Sequence, residues 1–132
     1  MSDDPSLTLQ IAIRQALISS PNMSGITVFD RAKTPEIFPC VIIGEGQNVA
    51  ADINLGRDYI NTYLDLHIWT KEDNLASVKK ISGTVKDIIK HAPANLSVID
   101  LKINSTRFLR DPSGDYSHGV ITVEALMKEF SE

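Results

Sequence analysis

Tyr59-Ile60-Asn61-Thr62-Tyr63-Leu64-Asp65-Leu66-His67-Ile68-Trp69 is the stretch that decides the fold. Ile60, Thr62, Leu64, Leu66 and Ile68 alternate with Tyr63, Asp65, His67 and Trp69. Alternation at period two puts these sets on opposite sides of a β-strand, with the aliphatic set facing a core. The run is about twice the usual strand length of 5–6 residues, so it is expected at the centre of a sheet.

Reading toward the C-terminus, residues 74–91 predict a helix capped by Asp73 and stopped by Pro93. Leu75, Val78, Ile81, Val85, Ile88, Ile89 and the adjoining Ala92 form an apolar stripe. Lys79, Lys80, Lys86 and Asp87 solvate the other side. Gly83 inside the helix predicts a close approach to a neighbouring element. The last third reads as a long hairpin. Its arms are residues 99–110 and 116–127, joined by Asp111-Pro112-Ser113-Gly114, where proline presets one turn position and glycine tolerates positive φ at another.

Toward the N-terminus, Cys40-Val41-Ile42-Ile43 is a short apolar run between Pro39 and Gly44 and reads as a buried strand. Residues 44–57 have little pattern and fit either a long loop or two weak strands. Ile26-Thr27-Val28-Phe29 predicts another short strand, and residues 30–39 a loop. Asp4-Pro5 offers a cap and a first-turn proline for a helix over residues 6–19. Leu9, Ile13, Ala16 and Leu17 define its buried stripe, which Leu7, Ile11 and Ile18 are expected to widen. Together these elements predict an α+β fold: a mostly antiparallel β-sheet, two main helices packed on one face, and a long C-terminal β-hairpin.

A chain of 132 residues is expected to make one domain, residues 1–132, with short flexible termini at about 1–5 and 129–132. Its formal net charge of -4 argues against a dedicated DNA reader, which needs a basic surplus to neutralise phosphates. The lone Cys40 rules out an internal disulfide. The acidic start Met1-Ser2-Asp3-Asp4 does not read as a signal peptide, and no window supplies the roughly 20 apolar residues of a membrane span.

No nucleophile elbow, zinc-protease helix or phosphate loop is present. The residues therefore nominate no catalytic, metal or cofactor site. Glu45, Asp52, Asp111 and Asp115 are read into loops or turns. Tyr63, His67 and Trp69 on the non-core strand face, and Tyr116 beside the hairpin turn, are candidate contact residues. Either a neighbouring chain or a loop of the same chain covers them. Arg107 and Arg110 near the hairpin tip are candidates to pair with acidic groups of a neighbour.

Three motifs carry a resemblance. They are Phe38-Pro39-Cys40-Val41-Ile42-Ile43-Gly44-Glu45, then Tyr63-Leu64-Asp65-Leu66-His67-Ile68-Trp69-Thr70, then Arg107-Phe108-Leu109-Arg110-Asp111-Pro112-Ser113-Gly114 with His118-Gly119-Val120. In this order, over residues 7–128, the chain resembles the bacteriophage and gene-transfer-agent tail completion proteins, also called tail terminators.

The resemblance implies a non-enzymatic virion protein, assembled in the bacterial host cytoplasm and located at the head-proximal end of the tail. It implies a homo-oligomeric ring, usually a hexamer. Such a ring stops polymerisation of the tail tube protein and gives the head connector a docking surface. DNA passes through its channel without specific binding, and no membrane is involved. Glu45 or Asp52, read into a loop, is expected to line that channel or the tube-facing rim. A neck or head–tail joining protein is the neighbouring reading. A small cytosolic ligand-binding domain or enzyme using Asp65, His67 and His118 is the reading from another class.

Overall fold

The computed structural model describes residues 4–29, 37–50, 59–71, 75–91 and 98–128. In chain order these form α1 (Pro5–Ser19), a 3-10 turn (Pro21–Met23), β1 (Thr27–Phe29), β2 (Cys40–Ala50), β3 (Tyr59–Thr70), α2 (Leu75–Lys90), β4 (Val98–Arg110) and β5 (Ser117–Lys128). The five strands make one sheet in the order β1-β2-β3-β5-β4. Every pairing is antiparallel except β1 with β2. The long strand is central, as its alternation predicts, and every second residue from Ile60 to Thr70 is buried.

Both helices pack their apolar sides into one core. Leu9, Ile13 and Leu17 of α1 and Val78, Val85 and Ile89 of α2 join Val41, Ile43, Leu64, Leu66, Ile68, Ile121 and Val123 from the sheet. This is the expected α+β architecture, with the helices on one face of the sheet.

The start of α1 is fixed by polar contacts. Asp4 accepts hydrogen bonds from the Ser6 backbone N–H at 2.9 Å and from the Ser6 hydroxyl at 2.6 Å. It also accepts one from Asn48 Nδ2 at 2.9 Å, and Asn48 in turn accepts one from Thr62 Oγ1 at 2.9 Å. The cap thereby ties the helix to β2 and β3. These bonds, Ser6 foremost, favour the ionised form and hold the Asp4 carboxyl below the usual carboxylate range.

Four expectations need correction. The apolar run at 40–43 is only the start of β2, which continues to Ala50 with a register shift between Ile43 and Gly46. Glu45 therefore sits in a strand at a bulge and not in a loop. Leu7, Ile11 and Ile18 do not widen the buried stripe of α1, being 41%, 50% and 49% exposed. Gly83 does not mark a close approach, since a Cβ added there meets nothing within 4 Å. The tight contact between α2 and the sheet is on the strand side instead, where a Cβ added at Gly119 would stand 3.1 Å from Val78. Asp52, Asp73, Ala92 and Pro93, with residues 30–36, lie outside the described residues.

Gly83 gives a direct test. It sits in the middle of α2 with open space around it, so alanine costs nothing sterically and removes the backbone freedom of glycine. Gly83→Ala is expected to raise stability by about 0.5–1 kcal/mol. The check is a urea midpoint that moves upward with no change in slope.

Candidate interaction surface

The sheet face away from the helices has its own small apolar cluster. Cys40, Ile42 and Val120 are buried, yet none belongs to the main core. Register explains this. His67 stands opposite Ile42 on one side and Val120 on the other, while Trp69 stands opposite Cys40 and His118. All of these belong to the outward set of their strands.

Aromatic rings flank the cluster. Trp69 stacks on His118 with centroids 4.0 Å apart and planes 8° apart. His67 Nδ1 lies 3.1 Å from His118 Nε2. Gly44 makes room for this arrangement, because a Cβ there would come within 3.0 Å of the His67 ring. His118 is pushed down to about 4, first by burial, then by His67 and by Arg107, with Asp111 opposing. It is therefore neutral at pH 7. Burial pushes the Cys40 thiol up, so the one cysteine on this face is not a reactive thiolate.

Further along the same face, Asp65 accepts a hydrogen bond from Thr122 Oγ1 at 2.7 Å. The two lie in an open cleft of about 350 Å³ with Glu45, Gly46, Gln47 and Tyr63. Glu124 holds the face to β4, bonding Asn104 at 2.9 Å and pairing with Lys102 at 3.8 Å.

The structure gathers Tyr63, His67 and Trp69 on this face, and places Arg107 on β4 opposite Val120. Arg110 pairs with Ser117 at the hairpin end. Tyr116 stands apart from the cluster and stacks on Phe38 at 5.1 Å. Asp65, His67 and His118 do not converge as a three-group site. The histidines face each other and Asp65 is engaged by Thr122. Among the described residues no group of three or more His, Cys, Asp or Glu could hold a metal ion.

Sequence reading missed the Trp69–His118 stack, which depends on the β3–β5 register across 49 residues of chain. It also missed a second cleft, lined by Phe38, Pro39, Thr70 and Lys80, whose walls come from three separate parts of the chain.

Comparison with known proteins adds a second kind of finding. Residues 11–128 match the family model of tail completion protein gp17. A search of the curated proteins finds no match. Among solved structures, a chain in the virion of a native gene transfer agent particle is similar, with a TM-score of 0.77 at 17% identity, over 96% of this chain and 99% of that one. The gp17 protein of bacteriophage SPP1 is similar with a TM-score of 0.64 at 22% identity, over 96% of this chain and 94% of that one. At these identities the structural likeness shows a shared fold.

Proposed function

Since the chain belongs to the tail completion protein gp17 family, we propose that it forms a closed ring capping the head-proximal end of a phage-like tail tube. The ring stops tube polymerisation and offers the head connector a docking surface. Six copies close it, and DNA passes through without being held.

The observation that carries this reading is that one subunit exposes two unlike surfaces. A closed ring with head-to-tail contacts needs two different complementary patches on each copy. One is the outer edge of β4, a 13-residue strand at the end of the sheet order with no further strand beside it among the described residues. A long open edge invites pairing unless something covers it. The other is the outward apolar row Leu7, Ile11 and Ile18 on α1. Tyr63, His67, Trp69, Arg107, Arg110 and Tyr116 remain the candidate contact residues. Glu45, exposed at the β2 bulge, and Asp52 are assigned to the channel or tube-facing rim. The net charge of -4 suits a passage that must not grip DNA.

Deleting the gene from a particle-forming host tests the proposal. Tails that overgrow and carry no heads are expected. Tails of normal length that fail to take heads would move the protein to the head side of the joint and overturn the terminating role.

A further inference from the structure

At the end of the sheet far from the β5 terminus is a cleft of about 440 Å³, lined by Phe38, Pro39, Thr70, Ile81, Lys71 and Lys80. Its volume lies in the range of about 300–1,000 Å³ typical of pockets that bind discrete groups. Phe38 and Ile81 make it apolar, and Tyr116 backs the Phe38 ring. Lys71 and Lys80 put two exposed cations at its margin. The buried hydroxyl of Thr70 finds no hydrogen-bond partner among the described residues. An apolar slot with cations beside it suits a large apolar side chain flanked by carboxylates.

This chain contains such a segment. Glu129-Phe130-Ser131-Glu132 follows β5 and lies outside the described residues. It carries one aromatic ring with an acidic residue on either side, the complement of the cleft in polarity and in charge. Geometry then decides which copy it serves. Lys128 pairs with Tyr59, whereas Thr70, at the cleft, pairs with Ser117. The two ends of β3 are therefore about 36 Å apart at the usual strand rise. Phe130 is two residues beyond Lys128, a reach of about 7 Å. Phe130 cannot fill the cleft of its own chain.

We propose that Phe130 of one copy enters the Phe38–Ile81 cleft of a second copy, with Glu129 and Glu132 facing Lys71 and Lys80. The contact is head-to-tail, so it propagates around a ring. It rests on the reading that copies of this chain stand side by side.

The test uses a labelled peptide of residues 127–132 titrated into the full-length chain. Saturable binding is expected. It should weaken by about tenfold or more with Phe130→Ala in the peptide, and by about threefold with Lys80→Glu in the chain, an exposed position that leaves the fold intact. Added salt should weaken it further. A peptide that fails to bind, or binds equally well with Phe130→Ala, overturns the proposal. Native mass separates this from the ring reading. Rings that persist in a Phe130→Ala chain, with no peptide binding, sink the tail contact and leave the ring standing. Specific peptide binding together with open oligomers that dissolve with Phe130→Ala supports the tail contact and counts against the closed ring, whereas a chain that stays monomeric where the peptide saturates overturns the contact between copies.

Discussion

Leu66→Ala is expected to destabilise the protein by about 3–4 kcal/mol. Leu66 lies in the middle of β3 with no exposed surface, paired with Ile43 on one side and Ile121 on the other. It shares one core with the buried stripes of both helices. Truncation removes three methyl or methylene equivalents of apolar contact and leaves a cavity bounded by three strands, where the surroundings have little freedom to collapse. Against a typical total of about 5–15 kcal/mol, that loss leaves a marginal domain. The exposed Leu109 supplies the control, since Leu109→Ala should stay within about 0.5 kcal/mol. Urea denaturation of the two variants beside the parent checks both. Equal losses would mean that the core does not lie between β3 and the helices.

The contrast between Leu66 and Leu109 shows which parts of the fold were readable in advance. Alternation in β3 is strong because both neighbours are strands of the same sheet and one face is fully covered, so the period of two survives without interruption. β2 was read too short because its second half, Gly44 to Ala50, contains glycines and an asparagine of low strand propensity. Pairing with β3 and the bulge after Ile43 hold it extended all the same. The α1 error has a different cause. Leu7, Ile11 and Ile18 are as apolar as Leu9, Ile13 and Leu17, so periodicity finds two stripes and cannot say which one the sheet will take. Exposure at one of them is a property of the packing. The outward placement of Tyr63, His67 and Trp69 on β3 was legible because the non-core side of a central strand is fixed by alternation alone. The His67–His118 contact and the Phe38–Ile81 cleft were not, because each joins segments whose proximity only the strand register and the placement of α2 establish.

His118 is where that register has its clearest chemical consequence. Folding is expected to lose about 1 kcal/mol of stability between pH 7 and pH 5 through this one ring. The sign follows from proton counting. The unfolded chain takes up a proton near the ordinary 6.5, whereas the folded chain refuses it until about 4. In that interval the unfolded state binds more protons, so stability is intact above pH 6.5, falls as the pH drops, and levels off below about 4. A partly buried ring is screened by solvent, which holds the full loss to about 1–2 kcal/mol. The groups that face it act in the order burial, His67, Arg107 and, opposing them, Asp111. Asp4 and Asp111, whose carboxyls are held below 3.8, lose their contributions only at lower pH. The interval from 7 to 5 therefore lies above the range in which those two carboxyls act. His118→Gln, which cannot titrate, should flatten the dependence of the urea midpoint on pH across it. The protein also carries its own reporter, because Trp69 is the lone tryptophan and stacks directly on His118. Its emission should titrate with a midpoint near 4 in the parent and lose that step in His118→Gln. A midpoint near 6.5 would mean that the ring is solvated and that the cluster on the outer face of the sheet does not form.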